Sequence, residues 1–323
     1  MPPAYLPGEV VEPTVYVVGH RNPDTDSVCS AIAFAELKQR LGHGNVLPAR
    51  AGELNAETAF VLRHFGVPEP ECLEDATGRD LILVDHNERA QAVANIEHAN
   101  ILEIWEHHRL GDIRPSGPIV FHCEPVGATA TLIGEQYYLH GIEPSRAMAG
   151  MLLAAIWSDT VNLRSPTTSD KDRNMAARLE GLAGVDAGFG EQMLQRKADS
   201  AAQRSADDLI REDYKAFEFA AGRVGVGQVE LVDAGVLATR EQEIREAMRA
   251  LRESAGLLQI ILMVTDVTAG ASDLWVEGDG LERFERCVGP LRHGRVHMPG
   301  FMSRKKQLLP LLDRAFSDAD APA

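Results

Sequence analysis

The chain has 323 residues, which at roughly 150 residues per domain predicts about two domains. It is 45% apolar and 25% charged, with a net charge of −16; this supports large cores, excludes a mostly disordered chain and opposes nucleic acid as a partner. No apolar run approaches the ~18 residues of a membrane span, no secretory signal pattern is seen, and the four cysteines form no C-x-x-C pair, so a reducing cytoplasm is expected rather than disulfides or a zinc knuckle.

Residues 1–13 carry four prolines and no apolar period, predicting a loose arm. Residues 15–18 read as a strand. Residues 27–41 read as a helix, with Ile32, Ala35, Glu36 and Gln39 separating an inner from an outer face. A strand at 45–49 and a helix at 55–65 follow. Short apolar runs at 81–84, 101–105 and 118–121 read as buried parallel strands. Helices are expected over 128–140, 144–158 and 168–182, the second opened by Pro144 near its first turn. This βαβα order predicts an α/β fold with a doubly wound, mainly parallel sheet. The polar, alanine-rich stretch 195–208 lacks a strong apolar period and reads as a hinge. Beyond it, a helical piece at 206–214, strands near 227–232 and 257–264, and helices at 240–254, 281–287 and 308–316 predict a second, smaller α/β domain.

The sharpest feature is Gly19-His20-Arg21-Asn22-Pro23-Asp24-Thr25-Asp26-Ser27, which joins the first strand to the first helix. Ligands of open α/β sheets bind at the carboxyl ends of strands. Here one imidazole and two carboxylates crowd one loop stiffened by Pro23. Asp26 or Ser27 acting as a helix cap would explain one of the three polar groups. Further clusters are Asp85-His86-Asn87, Glu106-His107-His108 and Ser158-Asp159-Thr160. Singly each is weak, because a strand-end Asp is more often a turn residue. Three of the four clusters stand at the same end of predicted parallel strands, which points to one site.

Imidazole with several carboxylates and no thiolate suits Mn²⁺, Co²⁺ or Mg²⁺, less typically Zn²⁺. Five or more candidate ligands exceed the need of one ion. Two ions sharing a carboxylate are therefore expected, the arrangement that activates a bridging water for attack on phosphorus. Ser303-Arg304-Lys305-Lys306-Gln307 adds three consecutive cations, which alone would read as a solvated patch.

These motifs resemble the DHH phosphoesterase superfamily and, more narrowly, the family II, manganese-dependent inorganic pyrophosphatases. The resemblance runs from about Val15 to Leu312. It rests on G-H-x-N-P-D-T-D-S, V-D-H-N-E at 84–88, x-H-H at 106–108, S-D-T with S-P-T-T at 165–168, and S-R-K-K-Q at 303–307, the most discriminating of them. It implies an N-terminal DHH metal-binding domain over 14–197 and a C-terminal, DHHA2-type substrate-binding domain with a mixed sheet over 204–316. The active site would lie in the cleft between them.

Residue by residue, the resemblance implies that His20, Asp24 and Asp85 hold one metal. Asp26, Asp85, His107 and Asp159 would hold the second, with Asp85 bridging. His108 would face the substrate, and Lys215, Arg304 and Lys305 would bind its phosphate groups. The implied cofactors are two Mn²⁺ or Co²⁺ per site, with further Mg²⁺ arriving with the substrate. That substrate would be pyrophosphate, split into two phosphates by a hydroxide bridging the metals. A homodimer with no nucleic-acid or membrane partner is expected. The span from Asp26 to Asp85 is too short for an adenine-nucleotide-sensing insert.

One residue departs from the family pattern: Glu106 stands where the family triplet has Asp. A carboxylate supporting a ligand or the bridging water is expected there, and Glu106→Asp is expected to raise kcat or tighten the metals. Two alternatives stay open. One is a short-chain exopolyphosphatase of the same superfamily, which the motifs barely separate. The other is a weakened phosphate-binding homologue, which Glu106 favours and the intact ligand set opposes.

Overall fold

A computed structural model of the chain describes residues 13–211, 213–231, 234–266 and 269–316, without the side chains of 198–203; the expected arm at 1–12 lies outside these residues. The chain forms two compact units. One comprises the residues up to Leu163 with Thr167–Met193, the other Arg164–Pro166 with the residues from Leu194 onward.

The first unit contains β1 (Val15–Arg21), α1 (Thr25–Arg40), β2 (Val46–Ala51), α2 (Ala56–Phe65), β3 (Glu71–Cys72), β4 (Asp80–Val84), β5 (Asn100–Glu106) and β6 (Val120–Cys123), then α3 (Thr129–Leu139), α4 (Arg146–Thr160) and α5 (Asp170–Ala183). Its six strands are all parallel, in the order β3-β2-β1-β4-β5-β6. β1 lies between β2 and β4, so the winding direction reverses there, and a crevice opens at the carboxyl ends of β1 and β4. On one sheet face Tyr16, Val18, Leu81 and Leu83 pack with Leu73, Ala92, Val93 and Ile96, which come from loops and short 3₁₀ turns.

α1 differs from the two-faced helix expected. Every residue from Thr25 to Ala35 is buried, because the helix packs on β1, β2, α3 and α4 together. Ser27, Cys29, Ser30, Ala31, Ala33 and Ala35 are small enough to permit that close approach at interior packing density.

α6 (Phe189–Gln203) crosses the boundary between the units. The stretch read as an aperiodic hinge is thus helical through Gln203. The second unit continues with α7 (Ala206–Arg211), β7 (Tyr214–Phe219), β8 (Gly222–Leu231), α8 (Glu241–Ser254), β9 (Gln259–Asp266), β10 (Ala271–Gly278), α9 (Leu281–Val288), β11 (Arg295–Pro299), a π-helical turn at Arg304–Leu308 and α10 (Leu309–Phe316). The sheet order is β11-β10-β9-β8-β7; β8 and β9 are parallel and the other neighbours antiparallel.

β9 is buried on both faces. Ile260, Leu262 and Val264 pack with Leu209, Ile210, Ile244 and Met248 of α7 and α8. Ile261 and Met263 pack with Phe284, Leu312 and Phe316 of α9 and α10. The helix expected to reach residue 214 ends at Arg211, and Tyr214 instead opens β7. Among the described residues, no helix is long and apolar enough to cross a membrane.

Candidate metal centre

The carboxyl ends of β1, β4 and β5 and the end of α4 converge on one cluster. His20 closes β1. Asp24 caps α1, its side chain accepting from Ser27 N at 2.9 Å; neither Asp26 nor Ser27 is the cap. Asp26 is therefore free to point its carboxylate elsewhere. Gly19 is required by close approach, because a Cβ there would overlap Ser27 Oγ and stand 3.0 Å from the Ser27 main-chain oxygen.

Asp85 follows β4 with φ 63°, a left-handed conformation that Asp tolerates better than most residues. Its main-chain N donates to Trp105 O at 2.9 Å. Asp159 is the penultimate residue of α4, beyond which the chain leaves through three consecutive left-handed residues, Val161, Asn162 and Leu163. For a β-branched Val that is a strained conformation, of the kind that concentrates at functional sites.

The structure brings His20, Asp24 and Asp85 into one group of ligand atoms lying within 4.8 Å of one another, and Asp26, Asp85, His107 and Asp159 into a second. Asp85 belongs to both, and to a third group with His107 and His108. His20 Nε2 is 3.5 Å from Asp24 Oδ1 and 3.5 Å from Asp85 Oδ2. His107 Nε2 is 3.2 Å from Asp85 Oδ1 and 3.8 Å from Asp159 Oδ2.

The two imidazoles are oriented alike. His20 Nδ1 lies 2.8 Å from Arg21 O, and His107 Nδ1 lies 3.1 Å from Val126 O. A proton on each Nδ1 for its carbonyl directs Nε2 toward the carboxylates, as ligating histidines require.

Asp26 is fully buried and hydrogen-bonded on both oxygens. Oδ2 accepts from Thr129 N at 2.6 Å; Oδ1 accepts from Ala130 N and Ser30 Oγ, both at 2.9 Å. Ala128 gives α3 no side-chain cap, so Asp26 satisfies these two helix-end amides from about 100 residues away in sequence. Thr129 Oγ1 also donates to Asp85 Oδ1 at 3.1 Å.

The electrostatics show a crowded anionic cluster. Burial raises Asp26 and Asp159 well above the usual carboxylate range, and the neighbouring aspartates push them further. Burial also acts to raise Asp85, but His107 and His20 outweigh it and hold Asp85 well below that range. Burial alone would depress His20 and His107; the aspartates overcome it and lift both well above the ordinary histidine value. Positive charge is thereby favoured among these carboxylates.

A metal is also favoured by two under-satisfied atoms. Asp85 Oδ2 and His107 Nε2 are buried and make no well-directed hydrogen bond, only the ion-pair contacts with His20 and Asp85, a costly state that a divalent ion would relieve. Hard oxygens with imidazole nitrogen match the donor set for Mn²⁺ or Co²⁺. His86, beside Asp85, joins neither group: its Nδ1 lies 3.0 Å from Val84 O, and burial pushes it down to about 4.

His108 is 56% exposed and held from behind by Glu106. Glu106 is fully buried, and its carboxylate accepts from the His108 main-chain N–H. Its Oε1 lies 3.1 Å from His108 Nδ1 and its Oε2 lies 3.4 Å from the same atom. The residue expected to orient a ligand or the bridging water contacts His108, two positions along, which itself groups with Asp85 and His107.

In the second unit Arg304 opens the π-helical turn. Its Nη2 is 2.7 Å from Asp213 Oδ1, and Nη1 donates to the Asp213 main-chain O. That places its guanidinium two residues ahead of Lys215 in β7. Lys305 is exposed. Sequence reasoning gave no role to Gln307, which closes this loop: its Oε1 accepts from Met302 N at 2.8 Å and Ser303 N at 2.9 Å, while Nε2 donates to Gly300 O.

Two family models match the chain: the DHH family N-terminal domain over residues 14–156 and the DHHA2 domain over 191–315. A manganese-dependent inorganic pyrophosphatase of Methanothrix thermoacetophila is 47% identical over 306 residues, covering 94% of this chain and 98% of the relative. That of Methanocaldococcus jannaschii is 39% identical over 313 residues, covering 94% and 99%. A crystal structure from Methanococcus jannaschii, described as a family II inorganic pyrophosphatase, superposes with a TM-score of 0.78 at 38% identity, covering 94% of this chain and 100% of that one. With both domain models matched and relatives similar over nearly its whole length, the chain belongs to the family II, manganese-dependent inorganic pyrophosphatases of the DHH family.

Proposed function

We propose that the chain hydrolyses inorganic pyrophosphate to two phosphates with two divalent ions, Mn²⁺ or Co²⁺, and with further Mg²⁺ carried by the substrate. The observation that carries this reading is the shared carboxylate: Asp85 is common to a group with His20 and Asp24 and a group with Asp26, His107 and Asp159. Ions held there would lower the pKa of a shared water toward neutrality and offset phosphate charge.

The chain's own residues do the rest. Thr129 and the α3 amides keep Asp26 and Asp85 aimed inward. Glu106 holds the His108 ring, which offers a hydrogen bond to a phosphoryl oxygen. Arg304 spends two N–H donors of its guanidinium on Asp213, leaving three of about five for phosphate. Lys215 and Lys305 add positive charge against the −16 of the whole chain. A homodimer is proposed from family membership. The outer edge of β6, with Val120 and Phe121 exposed, is a surface that pairing would cover. A cytoplasmic setting is proposed on the four free cysteines.

Phosphate release by the metal-stripped chain tests the reaction. Added Mn²⁺ is expected to restore turnover with pyrophosphate and to leave tripolyphosphate the slower substrate. Faster tripolyphosphate cleavage would assign an exopolyphosphatase; no release from either would leave a binding homologue.

Glu106→Asp is expected to lower kcat/KM for pyrophosphate by about 10-fold, with Mn²⁺ affinity unchanged. Asp can still accept from the amide two residues on, as in an Asx turn, but it gives up the His108 ring. This is the opposite direction to the one expected from the family residue, and the Glu106–His108 contact is its ground. Steady-state kinetics beside a Mn²⁺ titration check it; tighter metal binding with faster turnover would restore the sequence-based expectation.

A further inference from the structure

Glu57 lies in the first turn of α2, where an acidic side chain ordinarily faces water and complements the helix dipole. Here it is fully buried. Its Oε2 accepts from Thr25 Oγ1 at 2.7 Å and from Ser158 Oγ at 2.7 Å. Thr25 stands between Asp24 and Asp26, and Ser158 immediately precedes Asp159. The same end of α2 touches that loop twice more. Thr58 Oγ1 lies 3.1 Å from Thr25 Oγ1, and Asn55 Nδ2 is 3.5 Å from Pro23 O. A carboxylate is costly to bury for packing alone. This one reaches across 32 and 101 positions of sequence to hydroxyls beside ligands of both groups.

We propose that Glu57 is a positioning residue of the metal centre: one buried carboxylate oxygen ties the start of α1, with Asp24 and Asp26, to the end of α4, with Asp159. The inference rests on the two-metal reading above and requires no contact between Glu57 and an ion. By holding Thr25, Glu57 fixes the separation of Asp24, in the first group, from Asp26, in the second. By holding Ser158, it fixes Asp159 against Asp26. Errors of about 1 Å in such a constellation cost on the order of 100-fold in rate, so a link of this kind acts on affinity and rate without touching the reacting atoms.

The test titrates metal-stripped parent, Glu57→Ala, Glu57→Gln, Ser158→Ala and the Glu57→Ala/Ser158→Ala pair with Mn²⁺ in a calorimeter, which needs no turnover. Glu57→Ala is expected to weaken Mn²⁺ binding by about 10–100-fold. Glu57→Gln keeps an acceptor oxygen for both hydroxyls and is expected to stay within about 3-fold of the parent. Ser158→Ala is expected to weaken binding less than Glu57→Ala and to add nothing in its background, since both cut the same link. If Glu57→Ala does not fold, weak binding by Ser158→Ala with binding kept in Glu57→Gln supports the proposal. Parent-like Mn²⁺ binding by Glu57→Ala or Ser158→Ala would overturn it. So would Glu57→Gln binding as weakly as Glu57→Ala, because charge and not the hydrogen-bonded link would then matter. A parent that binds two Mn²⁺ but leaves pyrophosphate intact would overturn the substrate reading alone.

Discussion

Asp85→Asn is expected to weaken Mn²⁺ binding by more than about 100-fold, beyond the range for supporting residues, and to lower pyrophosphate turnover at micromolar Mn²⁺ by at least on the order of 1,000-fold. Asp85 is the residue common to both ligand groups, so losing its charge weakens both. Its Oδ1 faces His107 and accepts from Thr129, and its Oδ2 faces His20. Asn keeps the shape and, like Asp, accepts the left-handed φ of 63°. Asp85→Ala would add backbone strain of roughly 1–2 kcal/mol and confuse metal loss with folding. Calorimetric Mn²⁺ titration and a thermal melt of Asp85→Asn separate the two. Two ions bound as tightly as in the parent would remove Asp85 from the bridging position.

Arg304→Lys carries the second large effect: kcat/KM for pyrophosphate is expected to fall about 100-fold, with Mn²⁺ binding unchanged. Arg304 reaches Asp213 through two different nitrogens, a planar grip that fixes the direction of its remaining donors. Lys offers a point charge on a flexible stem and cannot reproduce the fork. The fold should tolerate the change, because an ion pair with a half-exposed partner is worth only about 0–1 kcal/mol. Steady-state kinetics with pyrophosphate, set beside a Mn²⁺ titration, check both halves. Unchanged kcat/KM would make the Arg304–Asp213 pair a surface contact with no part in substrate binding.

The two effects differ in how legible they are from sequence. The carboxylates and imidazoles of the candidate centre stand out because strand-end loops concentrate their chemistry into a few consecutive residues. His20, Asp24 and Asp26 fall within seven residues where β1 passes into α1, and His107 and His108 are adjacent. The parallel sheet is legible for a related reason: Leu81, Ile82, Leu83 and Val84 form an unbroken apolar run, as a strand covered on both faces must.

Where the signal is spread through space, it fades. β7 and β11 are edge strands with no fully buried residue, so they lack a run or a clean alternation to detect. In β10, Ser272 and Asp273 interrupt the apolar pattern because they serve side-chain bonds, Ser272 to Thr265 and Asp273 to Arg295 and His297.

The supporting residues of the centre are the least visible. Thr129 and Ser158 reach Asp85 and Glu57 across 44 and 101 positions. Glu57 reads as an ordinary helix-start acid, and only its burial separates it from one. The missing side-chain cap on α3 was a usable signal: Ala128 at that position leaves amides needing a distant carboxylate, and Asp26 supplies it. Glu106 was visible as a departure from the family triplet, but its partner was not, because the sequence does not show a side chain folding back onto the residue two places along.

Electron paramagnetic resonance of the metal-stripped chain titrated with Mn²⁺ tests the shared carboxylate most directly. Ions bridged by Asp85 would stand about 3.5–4 Å apart, close enough for their spins to couple. Saturation at two Mn²⁺ per chain with an exchange-coupled spectrum is the predicted result. Saturation at one ion, or two ions with the uncoupled six-line signal of isolated Mn²⁺, would contradict it.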